Sequence, residues 1–244
     1  MPLYKEQGIV LRSMKLGEAD KILTILTQGS GKVRAVAKGI RRTTSKFGGR
    51  LEPLTHVSLM LYRGRNLDTV TQCEIVHPFR TVRSDFERIA AGETMVEAVD
   101  KVAEEHERNV RLFLLLLSGL RSLEGEPRDP AAVAESFLLK LLSLSGFHPS
   151  LSACAACGLP GPHEWFAASQ GGVVCRTCAE NDAARTSEPA LRWLDTLARA
   201  DLNGAGEVIP EPRVRREGRA ILYGYAEYHL ERRMRSFALL ARQA

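Results

Sequence analysis

Residues 55–76 read THVSLMLYRGRNLDTVTQCEIV, and this stretch decides the fold of the first third of the chain. From Thr55 to Tyr62 the side chains alternate with the two-residue period of a β-strand that buries one face. Arg63-Gly64-Arg65-Asn66 supplies turn residues, and Leu67 to Val76 resumes the strand pattern. The stretch therefore predicts two consecutive strands joined by a short loop, with Cys73 as a small core residue of the second.

Three more strands are predicted upstream of this pair. They run from Gln7 to Ser13, Lys21 to Thr27 and Lys32 to Lys38, and Gln28-Gly29-Ser30-Gly31 forms a hairpin-type turn between the last two. Five strands within so short a segment predict a small closed barrel rather than an open sheet. An OB-fold is the commonest such barrel, and an SH3-like barrel remains the alternative because periodicity cannot separate them.

A basic, glycine-containing loop lies between the third and fourth strands. It reads KGIRRTTSKFGGR, residues 38–50, and carries five cations: Lys38, Arg41, Arg42, Lys46 and Arg50. Such a loop can follow a phosphate backbone, and Phe47 is predicted to be an exposed ring that stacks on a base. A disordered loop that is basic by chance fits the composition equally well.

Charge is distributed unevenly along the 244 residues. Residues 1–80 carry a net charge of +8, residues 81–212 a net charge of −8 and residues 213–244 a net charge of +5. A basic N-terminal module indicates a polyanionic partner, although a solvated basic face would have the same composition.

After Pro78 the pattern changes to that of helices. Ser84 and Glu87 form a predicted capping box, and Asp129-Pro130 marks another helix start. The five helices are predicted at about 84–107, 109–123, 130–145, 187–202 and 217–242, with linkers at 124–129 and 203–212. The fold class is therefore α+β, with a barrel at residues 1–80 and a helical domain at 81–244.

The last predicted helix is rich in arginine and tyrosine. Its arginines, expected to meet either a partner or the acidic middle of the chain, are Arg219, Arg232, Arg233, Arg235 and Arg242. Tyr223, Tyr225 and Tyr228 are expected to pack on the helical core.

Two Cys-x-x-Cys pairs lie within the helical domain at about residues 150–180. Cys154 and Cys157 form one pair, and Cys175 and Cys178 form the other. Two such pairs predict one tetrahedral Zn²⁺ site, and four thiolates leave no open position for water or substrate, so the site is predicted to be structural. Two disulfides or a redox Cys-x-x-Cys are the less favoured alternatives.

No catalytic pattern emerges from the sequence. His106-Glu107 and His163-Glu164 lack the second histidine of HExxH, and Gly29-Ser30-Gly31-Lys32 lacks both the first glycine of a P-loop and its Ser/Thr. No signal peptide or run long enough to span a bilayer is present. We therefore expect a non-enzymatic protein of the cytoplasm that neither enters a membrane nor acts on a small-molecule substrate.

Taken in order, these features resemble the bacterial DNA recombination and repair protein family RecO. The likeness rests on GIVLRSMKLGEADKILTILTQGSGKVRAVAKGIRR at residues 8–42, on Ser45, on the helical middle and on the four cysteines, and it covers essentially the whole chain. The four-cysteine motif is not present in every member of that family.

The resemblance implies an OB-fold followed by a helical domain that carries the zinc module. It also implies a non-enzymatic mediator associated with the nucleoid, which binds single- and double-stranded DNA and anneals complementary strands. With RecR, such a protein helps load RecA onto DNA coated by single-stranded DNA-binding protein (SSB), whose acidic C-terminal tail is a further partner. The expected DNA contacts are Lys32, Arg34, Lys38, Arg41, Arg42, Lys46, Arg50, Arg63 and Arg65. An RNA-binding or ribosome-associated OB/zinc protein is the rival hypothesis, and a zinc-dependent nuclease is disfavoured by the four-cysteine site.

Overall fold

The computed structural model describes residues 3–241, and its first part is a closed five-stranded barrel. The strands are β1 Leu3–Leu16, β2 Asp20–Thr27, β3 Gly31–Ala37, β4 His56–Tyr62 and β5 Asp68–His77. All five predicted strands are present, with bounds that differ at their ends. The long β1 pairs with β4 from Leu3 to Ile9 and with β2 from Gly8 to Leu16, and the pairing with β2 contains a bulge between Val10 and Arg12. The bulge bends this strand around the corner of the barrel.

The strand order is β1-β2-β3-β5-β4, and β3 runs parallel to β5. This Greek-key order is that of the OB-fold, so the SH3-like alternative is wrong. The barrel interior is filled by alternate side chains of the strands, including Val33, Leu59 and Val70. Cys73 lies in the same interior at 6% exposure, as predicted.

The connection between β3 and β4 closes the barrel, and the prediction for Phe47 is wrong. Phe47 is 1% exposed and packs with Ile40 and Leu51 in the barrel core, so it cannot stack on a base. The burial is favourable because an aromatic side chain removes a large apolar area from water. The loop around it is built of hydrogen-bonded turns, such as Ser45 N–H to Arg42 O at 3.0 Å, which contradicts the disordered alternative.

The second part of the chain is helical. The helices are α1 Arg80–Arg83, α2 Phe86–Val102, α3 Val110–Glu124, α4 Pro130–Leu144, α5 Glu188–Arg199, α6 Leu202–Ala205, α7 Pro212–His229 and α8 Phe237–Ala241. α4 is the central helix, and nearly all of its residues are buried. Its start is as predicted, because Asp129 caps the Ala132 N–H at 3.1 Å and Pro130 follows.

The predicted capping box at Ser84 is wrong. Asp85 is the N-cap of α2, and its Oδ1 accepts the Arg88 N–H at 2.9 Å. Ser84 instead ends the short helix α1, where its hydroxyl donates to the Thr81 carbonyl at 2.9 Å. Because its hydroxyl is already bonded at the end of α1, Ser84 does not cap α2.

The last two predicted helices also differ from the structure. The fourth ends at Arg199, and the capping residue Asp201 starts a separate short helix, α6. The fifth begins earlier, at Pro212, and ends at His229. The break after it is stabilised because the Glu97 carboxylate accepts the N–H groups of Arg235 and Ser236, at 3.1 and 2.8 Å. Arg242, at the end of the predicted helix, lies outside the described residues.

The barrel and the helices pack directly against each other. Leu11 and Leu26 on the outside of the barrel belong to the core of the helical part. The segment after α2 also pairs with the edge of β3, since the His106 N–H donates to the Lys32 carbonyl at 3.0 Å. Gly31 (φ +67°) is required there, because a Cβ would lie 2.0 Å from the Glu107 oxygen.

The architecture is thus an α+β chain in which an OB barrel is followed by helices. Within residues 3–241, no helix combines the length and the apolar character needed to cross a membrane.

Candidate metal centre and nucleic-acid surface

The four cysteines lie in a small lobe between α4 and α5. Its sheet consists of β6 Trp165–Ala167, β7 Gly172–Val174 and β8 Ala184–Arg185, in the order β7-β6-β8. Each cysteine pair sits on a tight turn: the Gly158 N–H donates to the Cys154 carbonyl at 2.8 Å, and the Cys178 N–H to the Cys175 carbonyl at 3.0 Å. These turns direct all four sulfurs toward one point.

The geometry of the four sulfurs fits a tetrahedral metal ion. All four Sγ atoms lie within 4.8 Å of one another, and those of Cys157 and Cys175 are 4.0 Å apart. A tetrahedron with metal–sulfur bonds of about 2.3 Å has edges of about 3.8 Å. The cluster could therefore hold one metal ion, with all four positions supplied by protein.

Backbone N–H groups favour the thiolate, the form that binds metal, at two of the four cysteines, whereas hydrogen bonds from neighbouring cysteine side chains raise the pKa of Cys157 and Cys178. The Cys175 N–H donates to Sγ of Cys154 at 3.3 Å, and this bond is the largest of the effects that lower the pKa of Cys154 to about 6. The N–H of Cys178 likewise lowers the pKa of Cys175.

The metal lobe is attached to the helical core, away from the barrel. Phe166 and Val173 of its sheet belong to the helical core, and the Phe166 ring meets Tyr225 of α7 edge-on at 5.6 Å. His229 Nε2 also lies 3.1 Å from the Ala168 carbonyl. These contacts give the lobe a structural connection to α7.

Three of the predicted DNA contacts line one cleft of the barrel. Arg34 on β3 and Arg63 and Arg65 in the β4–β5 loop surround a cleft of about 400 Å³, together with Ser30 and His106. The Arg63 guanidinium lies over the Tyr4 ring, 5.1 Å from its centre, and makes a cation–π contact with it. The strand pairing explains the grouping, because Ala35 pairs with Asp68 and this brings the β4–β5 loop beside β3.

Lys38, Arg41 and Arg42 lie at the opposite end of β3, beside the β1–β2 turn. Arg41 fastens the two loops together: its N–H donates to the Ala19 carbonyl at 2.9 Å, and its guanidinium donates to the Gly17 carbonyl at 3.0 Å. Lys38, Arg41 and Arg42 all remain exposed.

Lys46 and Arg50 form a third group, on the outside of β5. They line an open groove of about 820 Å³ with Gln72 and Ile75. Beyond Thr69, β5 no longer pairs with β3, and the Lys46 ammonium donates to the Thr71 carbonyl at 2.8 Å instead. The structure therefore divides the predicted contacts into three clusters rather than one continuous patch.

Lys32 is the predicted contact that the structure withdraws from the surface. Its side chain is 14% exposed, and its ammonium lies 3.5 Å from the Asp100 carboxylate and 2.7 Å from the Asp100 carbonyl. Conversely, Arg12 on β1 is an exposed cation of the barrel that the sequence analysis did not select. Its side chain is 54% exposed and lies 3.5 Å from the Asp100 carboxylate, and its place in the strand alternation could have revealed its exposure.

Two arginines of α7 form ion pairs inside the helical part, whereas Arg213 and Arg216 on the same helix are exposed. Arg219 is 4% exposed and donates to the Glu135 carboxylate on α4, and Arg215 pairs with Asp129. The expectation that such arginines meet the acidic middle of the chain is confirmed for Arg219. Of the tyrosines, Tyr225 is buried as predicted, whereas Tyr228 is 53% exposed.

Fold and site together define an OB-fold protein with a helical part and a lobe whose four clustered cysteines could hold a metal ion. Two sequence models of one family match the chain: "Recombination protein O N terminal" over residues 1–79 and "Recombination protein O C terminal" over residues 83–238. The chain belongs to the RecO family of DNA repair proteins.

Full-length relatives agree with this membership. The chain is 46% identical to the DNA repair protein RecO of Frankia casuarinae over 244 residues, which cover 99% of this chain and all of that protein. It is 44% identical to the protein of that name in a Nocardioides species and 43% identical to the one in Thermobifida fusca, with 98% and 99% of this chain and all of each relative covered.

Proposed function

We propose that this protein is a non-enzymatic DNA repair and recombination mediator. It binds single- and double-stranded DNA through its barrel, anneals complementary strands, and with RecR helps load RecA onto SSB-coated single strands. The acidic C-terminal tail of SSB is its second protein partner.

The observation that carries the proposal is the cleft lined by Arg34, Arg63 and Arg65. Exposed guanidinium groups at the β4–β5 loop of an OB barrel lie where this fold binds oligonucleotides. Lys38, Arg41 and Arg42, at the other end of β3, form a second, separate cluster of exposed cations on the barrel. Contacts of this kind reach phosphates rather than base edges, so binding is independent of sequence and falls steeply with salt.

Annealing follows from the same electrostatics. Two complementary strands repel each other through their phosphates, and cations that neutralise these charges lower the cost of approach. Because base edges are not needed for these contacts, they remain free to pair.

The metal of the four-cysteine lobe is proposed to be one Zn²⁺, since four tetrahedral thiolates favour zinc or an iron–sulfur site. When bound, it ties two distant turns of the chain together and supplies no chemistry. Metal analysis of purified protein tests the assignment, with one zinc per chain expected and iron as the contradicting result.

DNA binding is tested by replacing two arginines of the cleft, Arg34→Gln with Arg65→Gln. The matched control is Arg192→Gln with Arg216→Gln, which removes the same charge from exposed positions of α5 and α7. If both cleft arginines contact phosphates, the slope of log K against log salt for single-stranded DNA flattens by about 1.4. The control variant keeps the original slope, and an equal slope in both variants would refute the cleft as a phosphate site.

The mediator role is tested by annealing of complementary strands coated with SSB, with and without RecR. Acceleration by the protein, increased by RecR and lost with tail-deleted SSB, is expected. Competition between single-stranded DNA and structured RNA for the purified protein addresses the rival function. Preference for RNA would favour the ribosome-associated hypothesis.

A further inference from the structure

The outer surface of the barrel carries an uncharged row of side chains. Following the pairing from strand to strand, the row consists of Met14, Ile22, Val36, Thr69 and Tyr62. All five point away from the barrel interior, since the interior is filled by alternating neighbours such as Leu23, Ala35 and Leu61. We call these five residues the outer row.

The outer row is accessible to a ligand. Met14 and Tyr62 are each 44% exposed, and Ile22 and Val36 are partly exposed without joining the barrel or helical cores. Five neighbouring strand positions extend over roughly 19 Å of curved surface at the usual strand spacing. That length suits several nucleotides of a single strand, as is common for one OB-fold.

Cations flank the outer row on both sides. On β3, Val36 lies between Arg34 and Lys38, each two positions away along the chain. Arg12 on β1 and Arg34 on β3 both pair with Thr24 of β2, which lies between them. They therefore lie on the same side of the outer row. Arg63 directly follows Tyr62. The arrangement is an apolar strip bordered by positive charge, which complements a chain of bases joined by phosphates.

We propose that the outer row is a nucleobase-contact site that selects single-stranded over double-stranded DNA. Tyr62 stacks on a base, Val36, Ile22 and Met14 cover neighbouring bases, and Arg12, Arg34 and Arg63 hold phosphates. In a duplex the base faces are stacked inside the helix, so the row gains nothing from them. The inference rests on the proposed DNA binding and adds its base-contacting residues.

Charge decides between this occupant and a protein partner. An apolar strip of this size could also receive a protein, but Arg34 and Lys38 beside Val36 and Arg63 beside Tyr62 favour a polyanion over such a partner. Asp20, two positions from Ile22, interrupts the basic border next to β2. Tyr62 supports the same choice, because an exposed ring can stack on any base.

The experiment compares binding of labelled oligothymidylate and of a duplex of equal length by fluorescence anisotropy. Tyr62→Ala is expected to weaken single-strand binding about tenfold, within the range for loss of one stacked base, with duplex affinity and the salt slope unchanged. Tyr62→Phe keeps the ring and should retain wild-type affinity. Tyr228→Ala removes a similarly exposed tyrosine from α7 and serves as the control.

Val36→Thr guards against misfolding, because it keeps the branched side-chain shape and replaces one methyl group with a hydroxyl. It should weaken single-strand binding more than duplex binding. Equal losses of affinity for single-stranded and duplex DNA would overturn the inference. So would full single-strand affinity in Tyr62→Ala. If Tyr62→Ala instead loses binding of RecR or SSB, the outer row is a protein-binding surface. Wild-type protein that binds neither DNA form would refute the proposed function itself.

Discussion

The buried ion pair between α4 and α7 leads to a stability prediction that can be worked out in detail. Arg219 Nε donates to Oε1 of Glu135, which is fully buried, and Arg219 Nη1 donates to the Leu240 carbonyl at 3.3 Å. Tyr223 adds a hydroxyl 3.3 Å from the same carboxylate oxygen. Replacing Arg219 with Met keeps a long side chain but leaves the Glu135 carboxylate without its charge partner.

The expected loss is large. Removing one member of a buried pair costs about 3–5 kcal/mol of unfolding free energy, because Glu135 must then either keep an uncompensated charge or take up a proton in the interior. For a chain of this size the loss corresponds to a decrease in Tm of about 6–20 °C. The double variant Glu135→Leu/Arg219→Met removes both charges, so it should recover most of the loss.

A pH series gives a second reading of the same pair. Burial raises the pKa of Glu135 to about 7 from its ordinary 4.5, while Arg219 opposes the rise. Between these pH values the folded chain binds more protons than the unfolded chain, so the contribution of Glu135 to stability falls as pH rises from 4.5 to 7, by roughly 3 kcal/mol. Glu135→Gln should remove that part of the pH dependence.

Urea unfolding, monitored by circular dichroism at saturating zinc, measures the unfolding free energy of the wild type, the two single variants (Glu135→Leu and Arg219→Met) and the double variant. A cost below about 1 kcal/mol for Arg219→Met would refute the reasoning. So would a double variant as unstable as the sum of the two single variants.

Three further predictions follow from particular contacts. Phe47→Ala should cost about 3–5 kcal/mol, because it empties the barrel core, yet leave the DNA affinity of the folded protein unchanged; loss of affinity with full stability would restore the stacking role. Glu105→Gln should raise DNA affinity up to about fivefold, because Glu105 lies 3.9 Å from Arg34 and competes with phosphate; an unchanged affinity would contradict that competition. Cys154→Ser with Cys157→Ser should abolish metal binding and lower Tm before DNA affinity falls; the reverse order would make the lobe a DNA contact.

Each of these has a matched control in the chain. Phe86→Ala removes a phenylalanine that is 61% exposed, so its stability cost should stay within about 0.5 kcal/mol. Glu164→Gln removes the carboxylate of an exposed ion pair with Arg185, in the metal lobe, and should leave DNA affinity unchanged. Cys73→Ser changes a barrel cysteine outside the metal cluster and should retain the metal.

Much of the fold was predictable because its signals are local. Strand alternation revealed all five barrel strands, and Asp129-Pro130 marked the start of α4, since periods and caps involve residues a few positions apart. The metal cluster was equally predictable, because the spacing of two Cys-x-x-Cys pairs describes the ligand set directly. The clustering of Arg34 with Arg63 and Arg65 was not, because it depends on parallel pairing of β3 with β5.

By itself, then, the sequence determined the strands, the central helix, the four cysteines that could hold a metal and the basic character of the barrel. Only the tertiary structure decided which side chains face water. Phe47 closes the barrel instead of meeting a base, and Lys32 is paired with Asp100, 68 residues away in the chain. Glu135 and Arg219 are 84 residues apart. Burial and charge pairing are set by such distant contacts, which no local pattern of residues records.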